Sequence, residues 1–187
     1  MDIKFARKYL KGHPKYGEDT FFVEKIWANN DALKGVYIKP LSTEILEAEY
    51  KNYLKKDFYP KGHTIRKGDR WKAGDKFDAA VWYDRPYASK QIIIGMDIPI
   101  VRTYKFDVLV YPSYALINLD GRPITRKTKE EDRIVWDGLR NLKTIALNDG
   151  LETQDFISWF QFPTEFHGQV IVWDPNIDYA NELSFLN

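Results

Sequence analysis

Strand-sized apolar segments outnumber helical ones in this 187-residue chain, and they do not alternate with helices as a parallel α/β sheet would require. An Asp120-Gly121 pair between two alternating runs adds a strong hairpin signal. These observations predict an α+β fold built on a small, mainly antiparallel β-barrel with helices over its openings.

The elements follow in chain order. In "EDTFFVEKIWANN", Asp19 or Thr20 is a candidate N-cap, and Phe22, Val23, Ile26 and Trp27 lie at helical spacing, predicting a short amphipathic helix. "LSTEILEAEYKNYLKK" repeats the pattern, with Ser42 or Thr43 as cap and Ile45, Leu46, Tyr50, Tyr53 and Leu54 as its buried stripe. "KFDAAVW" and "QIIIGMDIPIV" are β-branched or apolar, bounded by Gly, Pro and Asp, and short, so they read as core strands. "KFDVLVYPSYALINLDGRPIT" alternates up to Asp120-Gly121, and Pro112 marks a bend or edge within it. The longest helix is expected from a capping box at Thr128 and Glu131, through Val135, Leu139, Leu142 and Ala146, to a stop at Gly150. A short helix in "TQDFISWF", capped by Thr153 with Phe156 and Phe160 inward, and a strand in "HGQVIVWD" complete the reading.

Composition bounds what the chain can be. With 44% hydrophobic and 16% aromatic residues spread throughout, it is globular, and its length suits one domain with an insertion. The absence of cysteine excludes disulfides, thiolate metal sites and cysteine nucleophiles. "MDIKFARKYL" has no apolar run of signal-peptide length and no stretch is long enough for a membrane helix, so a cytoplasmic protein without a membrane partner is expected. His13, His63 and His167 show no paired spacing, so no metal site is expected, and the lack of a phosphate loop or dinucleotide fingerprint leaves no cofactor indicated.

A net charge of +1 conceals an uneven distribution: residues 61–90 hold eight Lys or Arg against four Asp, whereas 144–187 hold seven Asp or Glu and no Lys or Arg. A concentrated positive field is the footprint of phosphate binding or of a solvated basic face.

Three pieces in order, "FVEKIW", "KGHTIRKGDRWKAGDKF" and "ALNDGLETQDFISWF" with a closing strand, resemble the ASCH domain of the PUA-like superfamily over roughly 20–29 and 60–174. The K-x-x-T-x-R element is Lys61, Thr64 and Arg66, the downstream G-D is Gly74 and Asp75, and Asp149 lies in the acidic turn after the later helix. The extended run, including "PYASKQIII", is also similar to an ASCH subgroup of Bacteroidetes and their phages, with 28–59 as an insertion. The resemblance implies a PUA-like barrel whose cleft binds RNA or modified bases. Some relatives are similar to an amidohydrolase that removes the acetyl group of N4-acetylcytidine with a Lys, a Thr and a Glu, and another is a ribonuclease. Here those positions are Lys61, Thr64 and, one methylene shorter than Glu, Asp149.

The residue types allow three readings. In a hydrolase, Lys61 with a lowered pKa would act as base, Thr64 or a water as nucleophile, and Asp149 as proton shuttle. On an extended strand Thr64 and Arg66 share a face, placing a guanidinium beside the hydroxyl to hold an oxyanion or phosphate. In a binding module without catalysis, Lys61, Arg66, Lys67, Arg70 and Lys72 would hold phosphates of RNA, a single-stranded nucleic acid or a modified nucleoside. Trp71, Trp82, Tyr83 or Tyr87 would then stack on a base, with His63 as an acid, base or base-edge donor or else a surface residue. In a structural role, Thr64 is a strand contact, Arg66 pairs with Asp75 or Asp149, Lys61 is solvated and the helix at 43–56 is an interaction element. Ligand identity and oligomeric state are not legible in the sequence.

Overall fold

A computed structural model describes residues 1–29, 41–130, 133–183 and 185–186. The fold is α+β and dominated by antiparallel strands. In chain order the elements are β1 (Asp2–Phe5), α1 (Phe22–Ala28), α2 (Glu47–Lys55), β2 (His63–Lys67), β3 (Lys76–Trp82), β4 (Gln91–Pro99), β5 (Arg102–Val110), β6 (Tyr114–Leu119), β7 (Arg122–Glu130), β8 (Arg133–Asp137), α3 (Leu139–Asn148), α4 (Thr153–Trp159), β9 (Phe166–Val172) and α5 (Tyr179–Glu182).

The strands form a three-stranded sheet, β1-β3-β4, and a six-stranded sheet, β2-β9-β5-β6-β7-β8. Only the β1–β3 pair is parallel. The backbone ladders do not close into a barrel. The two sheets meet at a corner, where Ile100 exchanges backbone hydrogen bonds with Gly74 and Asp75 while Val101 donates to Val172. They meet again at the β2 edge, where the Arg66 guanidinium donates to the Lys4 carbonyl on β1 at 2.7 Å.

Each face of the larger sheet is covered by apolar groups, which burial removes from water. Phe106, Val108 and Ile117 pack against Leu142 of α3 and Phe156 of α4. Over the opposite face, Trp173 makes edge contacts with Phe5 and Phe77, and Phe77 with Trp71.

The predicted hairpin at Asp120-Gly121 is present: both residues have positive φ, 49° and 77°, joining β6 to β7. The helix expected from Thr128 is corrected. Thr128 pairs with Val135 in a β7–β8 hairpin, and α3 starts only at Leu139, which is exposed rather than part of the buried stripe. Gly138 makes the break, since its φ is 73° and a Cβ there would lie 2.2 Å from the Ile124 carbonyl oxygen. Glu131, the other half of the expected capping box, lies outside the described residues.

The helix before the basic segment is shorter than its pattern. Ser42 accepts backbone hydrogen bonds from Ile45 and Leu46 in a turn, and α2 begins at Glu47. Leu46 is buried and Tyr50 and Tyr53 are partly buried, but Ile45 and Leu54 are exposed. Thr20 accepts a hydrogen bond from the Phe22 amide, while Phe21 holds the N-cap position of α1. Glu152, one residue before Thr153, is the N-cap position of α4. Part of the expected insertion, 30–40, lies outside the described residues. No described helix is long and apolar enough to cross a membrane.

Candidate functional site

Gly62 sets the site. Its amide donates to the Asn148 carbonyl, and its carbonyl accepts from Trp173 and Asp174, wedging the chain between the end of α3 and the end of β9. A Cβ at this position would meet Ile177 at 2.5 Å and Asp174 at 2.7 Å, so only glycine passes. The neighbouring Lys61 amide is tied to the Lys25 carbonyl of α1, which aims the Lys61 side chain at Asp149, the residue capping α3.

Lys61 Nζ donates to both the carbonyl oxygen and Oδ1 of Asp149, each at 2.5 Å. The pair is buried, with Lys61 1% and Asp149 5% exposed. The ammonium lies 4.4 Å from the Phe22 ring centroid and 5.7 Å from that of Phe5, and the Arg66 guanidinium carbon lies 5.3 Å from the Phe5 ring centroid. Burial lowers the Lys61 pKa to about 8 against the opposing pull of Asp149, and burial raises that of Asp149. Lys25, missed in the sequence, donates to the Thr20 and Gly150 carbonyls beside the pair. Its position inside an apolar helical stripe was the available signal.

His63 is buried, not at the surface. Tyr179 accepts from the Asn148 side-chain amide, and its hydroxyl oxygen lies 2.9 Å from His63 Nδ1. His63 Nε2 lies 3.8 Å from Asp149 Oδ1 and near the Ile145 carbonyl, without a hydrogen bond of ordinary geometry to either. Burial first, then the Lys61 charge, depresses the His63 pKa well below its ordinary value, so the ring is neutral.

Thr64 and Arg66 share a face of β2, as strand alternation requires. Thr64 is buried and pairs with Ile171, and its hydroxyl makes no hydrogen bond to Lys61 or Asp149. Arg66 uses its guanidinium on the Lys4 carbonyl, not on Asp75; Asp75 instead accepts from the Lys72 amide and closes the turn. Burial lowers the Arg66 pKa against the opposing pull of the Asp149 carboxylate.

The remaining binding candidates divide by exposure. Lys67, Arg70 and Lys72 are exposed on that turn. Trp71 is buried: its backbone amide and carbonyl are both held by the Gln169 side chain, and its ring packs on Phe77. It therefore offers no free face for base stacking. Trp82 is half-buried, Tyr83 is exposed, and Tyr87 is 92% exposed with φ 62°, a sparsely populated conformation for a bulky residue. Tyr87 leans on Trp82 with ring centroids 5.4 Å apart.

A cleft of about 350 Å³ opens beside the buried pair, lined by Lys25 and Gly150 together with Tyr9, Phe21 and Phe58. Its other charged groups are mainly carboxylates, Glu18, Asp19, Glu152 and Asp155 among them, so it suits neutral guests better than polyanions. Among the described residues, no group of three or more His, Asp or Glu side chains is placed to hold a metal ion.

No protein-family model, curated protein or solved structure matches the chain. Its function is therefore read from its own geometry.

Proposed function

We propose that the chain binds RNA, another single-stranded nucleic acid or a modified nucleoside through a basic and aromatic rim centred on Arg66, in a PUA-like fold of the ASCH type. The observation that carries this reading is the set of exposed cations, Lys67, Arg70 and Lys72, that follows Arg66 at the end of β2, together with the exposed Tyr87 ring on the β3–β4 loop. Lys67 and Lys72 extend the positive rim, so phosphates meet cations while a splayed base meets the Tyr87 face. The ASCH reading rests on the sequence resemblance, whose Lys61 and Asp149 are in contact here. Arg66→Ala should weaken binding to a panel of RNA, DNA and modified nucleosides while the far-ultraviolet circular dichroism is unchanged. Undiminished affinity for every ligand that the wild type binds would refute the rim.

A second reading, an amidohydrolase acting on an N4-acylated cytosine, is favoured by the lowered pKa of Lys61. Neutral Lys61 would take the proton of a water, or of the Thr64 hydroxyl, as that oxygen bonds to the acyl carbon; in the second case a water would afterwards cleave the Thr64 acyl ester, freeing the acid and restoring the hydroxyl. The proton would then pass to the exocyclic nitrogen, with Asp149 as shuttle, while the C–N bond breaks. Hydrolysis consumes one water and yields cytidine and the carboxylic acid. The cleft at Gly150, poor for polyanions, suits a neutral nucleoside. Chromatography of N4-acetylcytidine incubated with wild type and Lys61→Ala tests it: cytidine from the wild type alone supports the hydrolase, and none from either sinks it.

A further inference from the structure

A second groove, of about 490 Å³, lies on the larger sheet beyond the turn that carries Arg70. Its floor is Trp71 and its walls are β5 and β9. Strand alternation puts Thr103, Lys105 and Asp107 on one face of β5, and the register sets Lys105 opposite Gln169 and Asp107 opposite His167.

Two cations converge there on one carboxylate. Asp107 is buried, with Lys105 Nζ at 3.1 Å from one oxygen and His167 Nδ1 at 2.8 Å from the other. His167 Nε2 lies 3.3 Å from Glu165, whose side chain is largely exposed. Hydrogen bonds to Asp107 first and Glu165 second raise the His167 pKa, which favours the imidazolium. With Asp107 shared between Lys105 and an imidazolium, one positive charge is left for the exposed Glu165 or for an anion that takes its place. The Arg70 guanidinium, 5.0 Å from the Trp71 ring centroid, brings a third cation to the rim. Opposing them, Asp69 lines the groove on the exposed turn.

The floor supplies an independent sign. Trp71 Nε1 is buried without a hydrogen-bond partner, although a buried donor left unpaired is costly. No apolar guest would satisfy it. An oxyanion carries enough acceptor oxygens for the Lys105 ammonium and the imidazolium with lone pairs left over, which an indole N–H uncovered by a small shift of the floor could use.

We propose that this groove is a second binding site, one that takes a phosphoryl group against Lys105 and His167 with Trp71 beneath it. Glu165 is the internal group that the ligand displaces. The site shares no side chain with the Lys61–Asp149 pair and does not require Arg66; Arg70 alone belongs both to its edge and to the basic rim.

The phosphoryl group can belong to a free phosphate ester or to a diester of a strand, and a titration followed by nuclear magnetic resonance separates the two. The signals are the Trp71 indole N–H and the His167 ring, read in the full-length protein. The probes are inorganic phosphate, cytidine monophosphate, a short single-stranded oligonucleotide, and cytidine as the phosphate-free control. Saturable movement of both signals with phosphate-bearing probes, and none with cytidine, is expected. Lys105→Met with His167→Gln should weaken the response at least about tenfold, with core resonances unmoved. Response to the small phosphates assigns the site to a phosphate ester, and response to the oligonucleotide alone assigns it to a strand. The response should persist in Arg66→Ala, which is expected to weaken the rim and leaves every side chain lining the groove in place. No saturable movement with any phosphate-bearing probe, or an undiminished response in the double variant, would overturn the site.

Discussion

Burying an ammonium and a carboxylate together is stabilising only when geometry is good, and removing one partner leaves the other charged and dry. Asp149→Ala is therefore expected to destabilise the fold by about 3–5 kcal/mol, whereas Lys61→Met with Asp149→Leu recovers most of that loss. Urea denaturation of the three proteins checks both statements. The pair's persistence at such cost is consistent with a role in binding or chemistry. The Lys61 pKa gives a pH dependence as well. It is lowered from 10.5 to about 8, so between those values the unfolded chain holds the extra proton and stability rises with pH. The gain is complete above about 10.5 and is lost as pH falls through about 8. If Lys61 is the base of a hydrolase, turnover rises through the same value near 8, because only the neutral amine accepts a proton. A pH–rate profile with no such limb would remove Lys61 from that role.

At the scale of elements, the β7–β8 hairpin shows both the reach of sequence patterns and their limit. Val135, Leu139, Leu142 and Ala146 stand at helical spacing, yet the first lies in a strand and only the later part is helix. The divider is Gly138, whose conformation is dictated by the Ile124 carbonyl, with Asn141 donating to that same carbonyl and Thr125 donating to that of Gly138. None of these contacts is visible in a local window. Gly138→Ala should cost more than about 1–2 kcal/mol, the penalty of a left-handed alanine before its clash is counted, and should lower the denaturation midpoint. A midpoint within error of wild type would show that α3 starts for another reason. β1 escaped the sequence for a related cause, being four residues long and paired with β3 across most of the domain's first half. By contrast, Asp120-Gly121 was legible because a turn of that type depends on two adjacent residues. The site divides in the same way. Lys61, Thr64, Arg66 and Asp149 were read from one short segment and one helix end, but Phe5, Phe22 and Lys25 around the pair come from elements that only the fold brings near.

At the scale of the whole molecule, charge is partitioned in space as it is in sequence. The rim at 66–72 is cationic and exposed, whereas the cleft beside Gly150 is walled by carboxylates of 18–19 and 152–155. Under the proposed function, this distribution would direct a nucleic acid strand to the rim and keep its negative charge from the cleft. Phosphate contacts at the rim release counterions, so binding should weaken steeply with salt, and each of Lys67→Ala and Lys72→Ala should reduce the slope of log affinity against log salt by about 1. Substitution of Tyr87 acts differently, costing about 1–3 kcal/mol of binding through lost stacking with no change of slope. Fluorescence anisotropy of a labelled single-stranded RNA, titrated at several salt concentrations with wild type, Arg66→Ala and Tyr87→Ala, tests the central claim most directly. Salt-dependent binding that both substitutions weaken, with Tyr87→Ala keeping the wild-type slope, is the predicted result. Binding insensitive to salt and to both substitutions, or no binding by folded wild type, would contradict the account.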